Sequence, residues 1–108
     1  MNDKKQTLGQ KQRWFTAMIA ELITYAYANG YELTFGDAFR NPDIIYGHQN
    51  SLHKQRLAVD FNLFKNGEYL TKTSDHEPLG IFWESIGGTW GGRFDDGNHY
   101  SLEHKGMK

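Results

Sequence analysis

Two short segments bring together residues that can do metal chemistry. One runs Ser51-Leu52-His53-Lys54-Gln55-Arg56-Leu57-Ala58-Val59-Asp60, and the other is Asp96-Gly97-Asn98-His99. Between them they hold two imidazoles and two carboxylates. A hydrolytic zinc centre needs three protein ligands, an open fourth position for water and a base beside it, and these side chains can supply the set. The chain has no cysteine, so disulfides, thiolate zinc sites and cysteine nucleophiles are excluded. Any metal must be held by histidine and carboxylate.

Strand parity makes this reading specific. Over Arg56 to Phe64, Leu57, Val59, Phe61 and Leu63 share one face, and Ala58, Asp60 and Asn62 share the other. The apolar set must face the core, so Asp60 points away from it beside the small Ala58, which leaves space for an ion. Alternation alone would equally allow a solvent-facing aspartate. His53 lies seven residues before Asp60, an odd offset that would put the two on opposite faces of one straight strand. His53 is therefore expected on the loop that leads into the strand. His99 begins a later strand, with Asp96 just before it as a candidate base. Asp95 competes for that role, since neighbouring carboxylates cannot both face one ion. His104 has the opposite parity to His99 and is not expected at the same site. His48 and His76 have polar flanks and read as surface residues. Arg40, just after the first strand, could hold a substrate carboxylate through its planar fork or pair with Asp43.

The elements that must position these residues are readable. Thr7 and Gln10 form a capping-box pattern. Trp14, Phe15, Met18, Ile19, Leu22, Ile23 and Ala26 recur at helical spacing and end near Asn29, with Gly30 as a left-handed cap. Tyr31, Leu33 and Phe35 alternate as a short strand. Residues 37–52 lack periodicity and are expected as loop with a helical turn. Asn66-Gly67 turns the main strand into a hairpin with Tyr69-Leu70. Ser74 or Asp75 caps a second helix through Leu79, Phe82, Trp83 and Ile86, stopped by Gly87-Gly88. A turn around Asp95 to Asn98 leads to a last strand from His99 to about His104. The expected class is α+β, two main helices packed on a small antiparallel sheet, with the active site at the sheet face.

At 108 residues the chain makes a single domain, with residues 1–6 expected as a disordered terminus. Apolar residues are 38% and aromatics 15%, enough for a core because aromatic side chains bury large areas. Twelve basic residues against thirteen acidic ones give a formal charge of −1, which argues against nucleic-acid binding. Lys4, Lys5, Lys11 and Arg13 read as a solvated start of the first helix. No stretch is long and apolar enough to enter a membrane, and no apolar leader precedes residue 12. Synthesis in the bacterial cytoplasm is expected, and a monomer.

Ser51-x-His53-x6-Asp60, with Ala58 two before the aspartate, and Asp96-x-x-His99-Tyr100 together resemble the peptidoglycan-cleaving zinc peptidases of the D-alanyl-D-alanine carboxypeptidase family. That family includes phage endolysins with L-alanyl-D-glutamate endopeptidase activity. The resemblance spans about residues 31–104. It implies His53, Asp60 and His99 as zinc ligands and Asp96 as the catalytic acidic residue. It also implies Arg40 and Ser51 as substrate contacts. The implied substrate is the peptidoglycan stem peptide, cut by a lysis enzyme that reaches the wall after another protein opens the membrane. The alternatives are a D-alanyl-D-alanine carboxypeptidase and a non-catalytic zinc-binding module on the same scaffold. One departure stands out: Arg56 occupies a position where the family commonly has glycine. A side chain there is expected to demand a different local backbone and to shape the cleft.

Overall fold

Thr7 sets the first helix, its hydroxyl accepting from the Gln10 N–H while the Gln10 side chain accepts from the Thr7 N–H. The helix, α1, runs Leu8–Ala28 and is closed by Asn29 and a left-handed Gly30 at φ 86°. The structure is a computed structural model, and it describes residues 6–36 and 52–108. Of the terminus expected to be disordered, residues 1–6, all but Gln6 lie outside the described residues, as do residues 37–51 with Arg40, His48 and Ser51.

Five antiparallel strands follow as β1 Tyr31–Phe35, β2 Ala58–Lys65, β3 Glu68–Leu70, β4 Thr89–Trp90 and β5 His99–Ser101. A second helix, α2, spans Glu77–Ser85. The architecture is α+β, two helices on a small antiparallel sheet. β2 is the spine of the sheet: its outer half pairs with β1 and β3, and its inner half, Ala58 to Asp60, pairs with β5. Asn66 and Gly67, at φ 53° and 78°, make the β2–β3 turn with both central residues left-handed, as the right-handed strand twist favours.

The expected parity of β2 appears as burial. Leu57, Val59, Phe61 and Leu63 are buried, whereas Asp60 and Asn62 are partly exposed. Ala58 shares the face of Asp60 but is itself fully buried. On the core side, α1 contributes Phe15, Met18, Leu22 and Ala26, and α2 contributes Leu79 and Trp83. Each such side chain fully removed from water contributes roughly 1.5–3 kcal/mol. Trp83 ties α2 to the sheet, donating from Nε1 to the carbonyls of Ser101 at 2.9 Å and Thr89 at 3.1 Å. Among the described residues no helix is long and apolar enough to cross a membrane.

Four local expectations change. Lys11 is not solvated: it is buried and donates from Nζ to the Glu103 carbonyl at 3.1 Å. The second helix is not capped by Ser74 or Asp75. Those residues belong to a 3-10 turn, Thr73–His76, and Asp75 accepts from the Lys72 N–H at 3.0 Å. The last strand ends at Ser101, because the chain turns through Lys105 and Gly106, both at positive φ, to pair His104 with Met107.

The fourth concerns Arg56, which takes φ 60°. That is the left-handed region where glycine sits without steric cost, so the arginine occupies a glycine-favouring backbone and carries the strain. Arg56→Gly is expected to stabilise the fold by about 0.5–1 kcal/mol, raising Tm by about 2–8 °C. A melting curve unchanged or lowered by the substitution would show that the side chain's contacts outweigh the strain.

Candidate metal centre

His53 sits in a turn that precedes β2. The Leu52 carbonyl accepts from the N–H groups of Gln55 and Leu57, and the His53 carbonyl accepts from the Arg56 N–H. Leu52 is buried and anchors the turn in the core. Gln12 of α1 clamps it from outside, donating to the Gln55 carbonyl at 2.9 Å. This irregular backbone removes the parity conflict between His53 and Asp60.

Asp60 and His99 meet for a different reason. They are directly opposed in the β2–β5 register, which puts both side chains on one sheet face with Cβ atoms about 5 Å apart. Tyr100, next along β5, faces the core and is fully buried, and this fixes the parity that turns His99 outward. Phe94 packs edge-on against the His99 ring at 5.7 Å.

The result is a cluster in which one ligand atom each from His53, Asp60 and His99 lies within 4.8 Å of the others. Oδ1 of Asp60 is 3.3 Å from Nε2 of His53 and 3.5 Å from Nδ1 of His99. Hydrogen bonds from ring N–H groups to carboxylates are normally shorter, near 2.8 Å, and the buried Oδ1 makes none among the described residues. A tetrahedral ion with bonds of about 2.0–2.1 Å sets its ligand atoms about 3.3–3.4 Å apart. The spacing therefore fits ligands around an ion better than it fits hydrogen-bonded partners. Burial pushes the Asp60 carboxyl up, but the imidazoles of His53 and His99 outweigh it and hold the group at about 2. The carboxylate is thus ionised and ready for a cation at neutral pH.

Asp96 stands at the rim, its side chain half exposed and Oδ2 3.9 Å from Nδ1 of His99. Asp95 ends a 3-10 turn, Gly91–Phe94, in the left-handed conformation, and both it and Asp96 line a neighbouring cavity. Of the two neighbouring carboxylates, Asp96 is the one with an observed approach to the cluster. His104 takes no part in it.

The segment that aims Asp96 was not visible as an element. Trp90 pairs with Tyr100 in the sheet and donates from Nε1 to the Gly97 carbonyl at 2.7 Å. Gly91 accepts from the Asp96 N–H, and Asp96 accepts from the His99 N–H. A Cβ on Gly91 would lie 2.2 Å from the Asp96 carbonyl oxygen and 2.6 Å from the His99 Cβ. The only sequence signal was the Trp-Gly-Gly run, since glycine suits places where backbone segments approach closely. Gly91→Ala is expected to cost about 1–3 kcal/mol of stability by overpacking and to weaken any divalent-metal binding by displacing His99. Unfolding curves and titration of that variant with divalent metal ions test both effects.

His76 is also misplaced by the sequence. Its expected surface position is wrong: it is 3% exposed, with Nδ1 2.8 Å from the Tyr100 hydroxyl. Burial lowers its pKa to about 4 against a smaller opposing effect of Asp75. Between that value and about 6.5 the unfolded chain binds the extra proton, so the stability is present above pH 6.5 and falls as pH drops toward 4, by up to about 3 kcal/mol. Urea unfolding at pH 7 and pH 4.5 should show a smaller acid loss in His76→Gln than in the parent.

Two imidazoles, one ionised carboxylate and a second carboxylate at the rim are the side-chain set of a hydrolytic metal site. The sequence agrees: the model of the D-alanyl-D-alanine carboxypeptidase family matches residues 46–102, more than half of the chain. The chain belongs to that peptidase family. No curated protein matches it.

Proposed function

We propose that this protein is a zinc-dependent peptidase that hydrolyses a bond in the peptide stem of peptidoglycan, as a phage or prophage endolysin of the L-alanyl-D-glutamate endopeptidase type. The observation that carries the proposal is the convergence of His53, Asp60 and His99 with Asp96 at their rim. The family description supplies the substrate class, a peptide ending in D-alanyl-D-alanine.

His53, Asp60 and His99 would hold the zinc, and two neutral imidazoles with one carboxylate would leave the site with a net charge of +1. When bound, the ion supplies Lewis acidity, lowering the pKa of water at its open position and polarising a carbonyl oxygen. Asp96 takes the proton of the attacking water and returns a proton to the leaving amine. The exposure of its carboxylate lets substrate and water reach it without rearrangement of the core. Arg40 and Ser51 are proposed to hold the substrate. The enzyme acts on the wall once another protein has opened the membrane.

The endopeptidase form of the reading draws on the resemblance of the two motifs to phage endolysins. The D-alanyl-D-alanine carboxypeptidase reading is kept because the family description names that activity. A non-catalytic zinc module would have no use for Asp96. Mass spectrometry of muropeptides after digestion decides. Cleavage between L-alanine and D-glutamate supports the proposal, loss of one terminal alanine supports the carboxypeptidase, and intact muropeptides with zinc bound support the module.

A further inference from the structure

A metal-binding histidine ordinarily donates its other ring N–H to a carboxylate, a carbonyl or water, and that hydrogen bond fixes the plane of the ring. In His99, Nδ1 faces Asp60 at 3.5 Å and Asp96 at 3.9 Å. Its Nε2 is buried and makes no hydrogen bond among the described residues. The last torsion of a histidine side chain is intrinsically broad, so packing has to set it. Two aromatic rings lie against His99: His53, with centroids 5.1 Å apart and planes at 69°, and Phe94, at 5.7 Å and 62°. His53 is itself a candidate ligand, which leaves Phe94 as the ring that comes from outside the cluster.

Phe94 does not serve the core, since its side chain is 46% exposed, yet its backbone is pinned. It closes the 3-10 turn Gly91–Phe94, whose Gly91 carbonyl accepts from the N–H groups of Asp95 and Asp96. The preceding Arg93 donates from Nε and Nη2 to the two carboxylate oxygens of Glu84 in α2, at 2.9 and 2.7 Å, a two-point contact that fixes orientation. The same guanidinium covers the Trp90 ring at 5.3 Å. An exposed phenyl ring is thus carried by a fixed turn onto a candidate metal ligand. We propose that Phe94 is the positioning residue of His99: its ring takes the place of the missing hydrogen-bond partner and sets the plane in which Nδ1 meets the ion. The inference rests on the metal-centre reading of the cluster.

The test compares the parent with Phe94→Leu, which keeps an apolar side chain without a ring, and Phe94→Tyr, which keeps the ring. Zinc affinity is measured by chelator competition, and the metal-free proteins are followed by thermal melting and by NMR of the His99 ring protons. Phe94→Leu is expected to weaken zinc about tenfold and to shift or broaden the His99 signals. Its metal-free melting temperature is expected to stay within about 4 °C of the parent, as for other exposed positions. Phe94→Tyr is expected to keep zinc affinity within about twofold of the parent. Parental affinity in Phe94→Leu, an equal loss in both variants, or a loss matched by a larger drop in melting temperature overturns the role. If the parent binds no zinc but the His99 signals respond as expected, the metal-centre reading fails while Phe94 still orients the ring. If zinc binds and the signals are the same in all three proteins, Phe94 has no hold on the ring and the metal centre stands. Failure of both zinc binding and signal response ends both.

Discussion

Asp96→Ala is expected to lower kcat on peptidoglycan by about two to four orders of magnitude while zinc binding and the fold persist, which is the usual contribution of a positioned acid–base group. The separation of effects follows from where Asp96 stands. Its carboxylate is half exposed at the rim and 3.9 Å from Nδ1 of His99, so the core does not depend on it. The contacts that shape its turn are made by backbone, from the Asp96 N–H to Gly91 and from the His99 N–H to Asp96, and alanine retains both. Circular dichroism, zinc content and muropeptide release on the same preparation separate the three readouts. Wall digestion at the parental rate would remove Asp96 from the chemistry, and zinc loss together with activity would make it structural.

Asp60→Asn is the second large effect. The substitution keeps shape but removes the only anionic group of the cluster, and Oδ1 lies between the two imidazole nitrogens at 3.3 and 3.5 Å. Losing partners that merely orient metal ligands costs 10- to 100-fold in affinity, so losing a ligand charge should weaken zinc by at least about a hundredfold, and activity with it. Acid should act on the parent in the same direction. A metal site of this kind needs its ligands deprotonated, so metal affinity should fall as the pH falls. Without metal the depressed Asp60 carboxyl, at about 2, adds stability that is present above about pH 4 and lost as pH falls toward 2. Zinc affinity measured for parent and variant at pH 6 and 7.5 tests the loss of the ligand charge and the effect of acid on binding, and urea unfolding of the metal-free proteins between pH 4 and pH 2 tests the stability. Equal affinity in Asp60→Asn would show that the ion, if bound, is held elsewhere.

Much of the site could be read from the chain because its logic is local. Alternation along Leu57 to Leu63 needs only the two-residue strand period, and it put Asp60 on the outward face before any fold was known. The seven-residue offset then required His53 to leave the strand, and the turn at Leu52 to Arg56 supplies that break. The registers that make Asp60 oppose His99 and Trp90 oppose Tyr100 are pairings of distant segments, and local pattern does not encode them. For the same reason the burial of Lys11 and His76 was missed. Their partners, Glu103 and Tyr100, lie far along the chain, and polar neighbours in sequence pointed toward solvent. Arg56 shows the opposite case, where a residue type disfavoured in the left-handed region hid the turn its backbone makes.

Zinc K-edge X-ray absorption on the protein loaded with one equivalent of zinc gives the most direct measurement of the centre. Two imidazole rings in the scattering pattern, with only nitrogen and oxygen neighbours near 2.0–2.1 Å, are the result expected of His53, Asp60 and His99. An all-oxygen shell without imidazole scattering, or zinc removed by simple dialysis, would contradict it.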